Sequence, residues 1–289
     1  MGINLGSFLA TIICVWLGEE YGWSYGFGSA GLGMLLGLIT FIYGKKYLNG
    51  KGESTVPELL KKTFLGLKIE WVIYIVSLLS VFVFWQMVQS HEIVSSSLMV
   101  AGALSAAYII YYSVSKVDKK AREQLFALTI LIVFTIIFWA LFEQAYTSLN
   151  LFADRVLDRG DIPAGNFLSL NALFIILLAP VFAWLWVKLG KYNPNTAVKF
   201  SLALMLVGLG FGSLVLGINL SDMGKVGMIW LVITYFLHTC GELCLSPVGL
   251  SAVTKLSPPK IVGFMMGVWF LATASSEFIA SVLANIASV

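Results

Sequence analysis

Charge is scarce in this sequence. Only 11% of its 289 residues are charged and 59% are hydrophobic, whereas a water-soluble domain carries about a quarter charged residues. A soluble globular protein is excluded. The net charge of +3 is too small to attract nucleic acid. There are three cysteines, Cys14, Cys240 and Cys244, and all lie inside apolar stretches. That excludes a secreted disulfide framework and points to buried thiols. No HExxH motif supports an intramembrane zinc protease. No basic segment precedes the first apolar run and no small-residue cleavage site follows it, so a signal peptide is a poor reading.

What the chain does have is apolar runs of about 20 residues, the length of a transmembrane helix rather than the roughly ten-residue alternating strands of a β-barrel. The expected fold class is all-α, a polytopic transmembrane helical protein. Nine spans are predicted: Ile3 to Leu17, Ser24 to Tyr43, Trp71 to Met87, Ser95 to Tyr112, Leu125 to Tyr146, Phe167 to Leu189, Val198 to Leu216, Val226 to Ser246 and Ile261 to Ile286. Aromatic residues such as Trp23, Tyr43, Trp71, Tyr112 and Trp186 stand near their ends, as interfacial anchors do. Fifteen of the 18 lysines and arginines fall in one alternating set of loops. The other set, which includes Asp154 to Asp161 and Asp222 to Lys225, holds only Arg155, Arg159 and Lys225. Basic residues mark the cytoplasmic side, so the chain is expected to begin inside and end outside. An odd number of spans, with apolar segments at both ends, reads as a truncated chain.

Ionisable groups within a bilayer cost about 2.5 to 3.5 kcal/mol each and are candidate functional sites. Three carboxylates qualify. Glu143 ends the fifth span, and a spacing of four puts Thr135, Trp139 and Glu143 on one helical face. That stripe is expected to line a polar cavity, the alternative being an interfacial Glu143. Glu242 lies deeper, in Cys240-Gly241-Glu242-Leu243-Cys244-Leu245-Ser246-Pro247, with Ser246 on its face and Pro247 bending the helix. Glu277 fits a cavity and the outer interface equally. No lysine or arginine falls inside a span except Lys188 and Lys199 at the very ends of theirs, so these groups have no countercharge of their own within the membrane.

Other patterns have plainer readings. His238 with Glu242, and Cys240 with Cys244, form two pairs about 160° apart around a helix. One metal ion cannot take all four, which favours packing. Gly33/Gly37 and Gly208/Gly212 have the four-residue spacing that lets membrane helices approach closely. Trp139 and Trp269 read as apolar pocket walls with an indole donor.

Several segments together resemble the proton-dependent oligopeptide transporters (the POT or PTR2 family) of the major facilitator superfamily. Met1-Gly2-Ile3-Asn4-Leu5-Gly6 is similar to the latter part of that family's FYxxINxG signature. Phe138 to Gln144 resembles its seventh core helix, Ser169-Leu170-Asn171 its eighth, Gly241 to Gly249 its tenth and Gly267 to Leu271 its eleventh. Ala172 departs from a common proline, and Ser276-Glu277 from a common Gly-Asn. The resemblance implies a partial major facilitator fold of about nine helices. Residues 1–46 would be the last two helices of the N-terminal bundle and 47–70 a cytoplasmic linker. Residues 71–115 would be an inserted two-helix hairpin, and 116–289 the C-terminal bundle lacking its last helix.

By the same resemblance, the function is proton-coupled symport of di- and tripeptides across the bacterial cytoplasmic (inner) membrane. No enzymatic activity and no cofactor are implied beyond the proton gradient. The implied partners are peptide, proton, lipid bilayer and the missing N-terminal helices of the same transporter. Those helices would carry the ExxER motif and the basic group for the peptide carboxylate. Glu242 would hold the peptide ammonium, with Asn4 and Asn171 on backbone or terminal groups. Trp139, Trp269 and Phe270 would wall side-chain pockets, and Glu143, with Glu242, would serve gating and proton coupling. These residues alone are expected to be inactive, since alternating access needs two bundles. Proton-driven dipeptide uptake into vesicles holding only this chain would contradict that. A related symporter for amino acids or another small anion is the alternative. A membrane metal enzyme centred on Cys240 and Cys244 is a further reading from a different class.

Overall fold

The computed structural model describes residues 2–51, 53–54, 56–64, 66–221 and 225–287. Met1 of the signature match, Asp222 of the outer loop set and Val289 lie outside the described residues. Contacts divide the chain into two units, one running to Ser29 and resuming at Ala101, the other Ala30–Val100. Eleven α-helices are described: α1 Gly2–Tyr21, α2 Trp23–Gly44, α3 Pro57–Lys61, α4 Ile69–Val88, α5 His91–Ser115, α6 Lys119–Phe142, α7 Ser148–Arg155, α8 Ser169–Leu189, α9 Thr196–Asn219, α10 Met228–Leu256 and α11 Val262–Ala287. Nine helices among the described residues are long and apolar enough to cross a membrane, in agreement with the nine predicted spans.

Their ends differ most at the eighth span. The predicted stop at Ser246 falls inside α10, which runs through Pro247 to Leu256. A proline removes one backbone donor, but neighbouring helices tolerate the gap in a membrane protein. At 29 residues the helix is about 44 Å long, longer than the hydrocarbon core it crosses. Helix starts follow local chemistry. Asp118 accepts a hydrogen bond from the Ala121 amide at 3.0 Å to begin α6, and Asn195 does the same for Val198 at 3.0 Å to begin α9. Both are ordinary N-caps.

In the larger unit α10 is central, packing along α9 and touching α8, α6 and α11, while α6 pairs with α11 and α1 lies along α8. The core is built from Leu125, Leu128 and Phe138 of α6, Phe200 and Val207 of α9, Leu245 and Val253 of α10, and Met265 and Trp269 of α11. A second cluster joins Leu149 and Ala153 of α7 to Leu214, Leu231 and Tyr235. Beside it Leu157 and Asp158 pair in parallel with Val226 and Gly227, a two-residue ladder. Both ladder residues Leu157 and Val226 are buried.

The α9–α10 contact corrects the glycine expectation. Gly208 and Gly212 are exposed and have open space where a side chain would project. The packed face of α9 runs Ala203, Val207, Gly210, Leu214, Gly217, the 3.6-residue repeat of a helix stripe. A Cβ on Gly210 would meet the His238 ring at 2.5 Å, and one on Gly217 the Trp230 ring at 2.5 Å. Gly33 and Gly37 also have open space. Across this contact Ser213 and Thr234 share a hydrogen bond of 3.0 Å, and Thr234 donates to the Gly210 carbonyl at 3.0 Å. Hydrogen bonds of this kind join helices where burial of apolar surface supplies no force between them.

The smaller unit is different in character. It carries the rest of α2, a 3₁₀ turn at Lys45–Leu48, α3, a hairpin pairing Thr63–Phe64 with Leu67–Lys68, α4 and the start of α5. Gly66 supplies the positive φ of 81° that the hairpin turn requires. An exposed ion pair of 2.8 Å joins Lys45 to Glu53.

Candidate functional site

Three elements converge on one cavity of about 260 Å³, lined by Trp139 and Glu143 from the end of α6, Ser246 and Leu250 from α10, and Trp269 and Thr273 from α11. The spacing explains the set. Trp139/Glu143, Ser246/Leu250 and Trp269/Thr273 are each four apart and so share a helical face. Trp269 is buried because α10 offers a glycine there: a Cβ on Gly249 would overlap its ring. Trp139 packs edge-on against Phe142, ring centroids 5.2 Å apart.

Glu242 lies one turn before Ser246 on α10. The Asn171 side-chain amide, from the first turn of α8, donates to its Oε2 at 2.9 Å and to the Thr239 Oγ1 at 3.1 Å. Thr239 in turn donates to the Tyr235 carbonyl at 2.7 Å. Asn171 is thus fully used on its donor side, and the Glu242 Oε1 has no hydrogen bond among the described residues. Glu143 lies within electrostatic reach of Glu242 and Glu277, so three carboxylates gather here. Among the described residues none of the three has a basic partner.

Next to Glu143, the Gln144 amide clasps two helices. Its nitrogen donates to the Ala140 carbonyl of α6 at 3.0 Å and to the Ala280 carbonyl of α11 at 3.1 Å. Its oxygen accepts from Ser148 at 2.6 Å. The cavity wall is therefore held at its outer end by a satisfied amide rather than by apolar contact alone.

Of the residues singled out from sequence, the structure brings Trp139, Glu143 and Trp269 to the cavity and joins Asn171 to Glu242. Phe270 is 63% exposed and does not line it. Asn4 is half-buried on α1, the helix that packs along α8, and makes no hydrogen bond among the described residues. Thr135 corrects the expected polar stripe: it is fully buried, donates to its own helix at the Leu131 carbonyl, 2.9 Å, and does not reach the cavity. Eight residues before Glu143 is more than two turns of helix, about 12 Å, which takes Thr135 into the core.

His238 and Glu242 meet different partners. The His238 ring meets the Val207 carbonyl at 3.2 Å and lies against Phe211, whereas Glu242 meets α8. Thr239, Leu250 and Thr273 were not anticipated. Each was legible as a three- or four-residue step from Glu242, Ser246 and Trp269.

A bundle of membrane-crossing helices around an aromatic-walled cavity with half-buried carboxylates defines a polytopic membrane protein with a polar site among its helices. The model of the POT family (PTR2) matches residues 1–289, and the chain belongs to that family. It is accordingly a multi-pass membrane protein of the major facilitator type. The peptide transporter YePEPT of Yersinia enterocolitica is 35% identical over 302 residues, covering 98% of this chain and 59% of that protein. Dipeptide and tripeptide permease A of Erwinia pyrifoliae is 33% identical over 301 residues, covering 100% of this chain and 58% of that protein. A crystal structure of a mutant POT peptide transporter in complex with alafosfalin superposes with a TM-score of 0.80 at 37% identity, covering 99% of this chain and 59% of that one. The chain thus spans a little under three fifths of the length of these relatives. They are bacterial permeases and transporters, which places this chain in the bacterial inner membrane.

Proposed function

We propose that this chain belongs to a proton-coupled symporter that carries di- and tripeptides across the cytoplasmic membrane. The observation that carries the reading is the Asn171–Glu242 hydrogen bond beside the cavity walled by Trp139 and Trp269. Asn171 fixes one carboxylate oxygen and leaves Oε1 to accept from a ligand, the arrangement an α-ammonium group needs. The two indoles give apolar walls for a side chain, so the pocket combines a few polar groups with apolar lining, as small-molecule sites do.

The names of relatives support the substrate class: one is a dipeptide and tripeptide permease, another a peptide transporter. Proton coupling is assigned to Glu143 and Glu242. A buried acid whose charge state alters the balance between two forms of a transporter couples proton movement to substrate movement. The proton gradient is the driving force, and no cofactor is required. The substrate carboxylate calls for a cation that this group of residues does not supply.

The test is binding of dialanine and N-acetyl-dialanine to the purified 289-residue chain in detergent. Dialanine is expected to bind and the acetylated peptide to bind at least tenfold more weakly, about 1.4 kcal/mol. Asn171→Ala should weaken dialanine about tenfold. Equal binding of the two peptides would overturn the role of Glu242.

A further inference from the structure

A second cavity, of about 400 Å³, lies on the neighbouring face of α10, beside α9 instead of α11. Asn195, Thr196 and Lys199 line it from α9, and Pro247, Ser251 and Lys255 line it from α10. The last three are four residues apart in turn and so form one row. Among the described residues no carboxylate lines this cavity.

Lys199 is the unusual member. It is only 7% exposed, and its ammonium sits 4.1 Å from the centroid of the Trp186 ring. Among the described residues it makes no hydrogen bond and no ion pair. A ring face attracts a cation, and an ammonium carries three N–H donors, which its place in the cavity lining leaves for an acceptor bound there. Lys255 adds a second positive charge from the exposed side.

The start of α9 adds a third source of positive potential. Asn195 caps Val198, leaving the first amides of a 24-residue helix at the positive end of its dipole. Ser251 of α10 lines the same cavity. Lys188, in the last turn of α8 over the Trp184 ring at 4.3 Å, and Lys191, in the connection to α9, add to the positive charge of this segment. The lysine distribution puts this end at the cytoplasmic face, where anionic headgroups accumulate.

We propose that this cavity binds a phosphate group at the cytoplasmic membrane surface. Lys199 is the inner cation, Lys255 the outer one, and Ser251 and the first turn of α9 are the neutral donors. Donors lining one cavity from two helices suit a tetrahedral anion. The phosphate comes either from an anionic phospholipid headgroup or from solution.

The test uses the purified chain in neutral detergent. Equilibrium dialysis with labelled inorganic phosphate at fixed ionic strength reads the soluble source. Native mass spectrometry with phosphatidylglycerol against phosphatidylcholine reads the lipid source. Saturable one-to-one binding is expected in at least one arm, weakened about tenfold by Lys255→Gln and further by Lys199→Gln. Lys188→Gln, outside the cavity, should bind as the parent does. Retention of phosphatidylglycerol alone assigns the site to a headgroup, and saturation by phosphate alone to a soluble anion. Because Lys199 is buried, its variant is paired with the exposed Lys255→Gln, which keeps its fold. Failure of both arms to saturate, or undiminished binding by Lys255→Gln, overturns the proposal.

Discussion

α4 and α10 are both long enough to cross a bilayer, yet they solve different problems. α4 buries none of its 20 residues, although 16 of them are apolar. α10 buries 13 of its 29, among them Thr234, His238 and Thr239. The more polar helix is the buried one. In water the opposite would hold, because apolar surface would be driven inward. In a bilayer, lipid tails solvate apolar side chains as well as a protein core does, so apolarity sends a helix into the membrane without choosing its neighbours. Close packing and interhelical hydrogen bonds make that choice. α10 has both, in Gly241 and Gly249 and in the bonds of Thr234 and Asn171.

Substitutions matched between the two helices and their surroundings can break this contrast. The largest expected effect is Trp269→Ala, about 3–5 kcal/mol lost in unfolding in detergent, because the ring fills the space over Gly249. Trp85→Ala on α4, 54% exposed, and Phe270→Ala, 63% exposed, should each stay within about 0.5 kcal/mol. A loss at Trp85 as large as at Trp269 would show that α4 has packing partners of its own. Next is Gly241→Val, about 1–3 kcal/mol, since a Cβ there would stand 2.9 Å from the Ala203 carbonyl. Gly37→Val meets open space and is expected to leave the melting temperature unchanged. The smallest is Gln144→Leu, about 1 kcal/mol, read as earlier proteolysis at the outer ends of α6 and α11. Unaltered proteolysis would mean that apolar contact alone holds that junction.

Much of this was legible in the sequence, for physical reasons that also mark where legibility stopped. Helix number follows from run length against bilayer thickness, and all nine spans were found that way. Glu242 stood out because ionisable groups are rare in such runs, whereas Asn171 was reached only through the family resemblance; the structure joins the two. The face of each helix was harder to read. When lipid-facing and protein-facing residues are equally apolar, the periodic signal that orients a helix in water fades. Gly208 and Gly212 therefore matched a packing motif while pointing away from α10, and Gly210 and Gly217, seven apart, made the contact. Thr135 was placed on a polar stripe by spacing alone, but its hydroxyl is satisfied by its own helix. The ladder between Leu157–Asp158 and Val226–Gly227 joins residues far apart in the chain. Two-residue strands leave no periodic trace from which to read them.

The Gln144 amide has a mechanical consequence. Its single nitrogen is shared between carbonyls of two helices, so it indexes α11 against α6 at one register. Sliding α11 by a turn, about 5.4 Å, would carry the Ala280 carbonyl out of reach and strand the amide. A small pivot about the same point would keep both bonds. Gln144 thus works as a pin through a joint: it permits swivel and blocks axial travel.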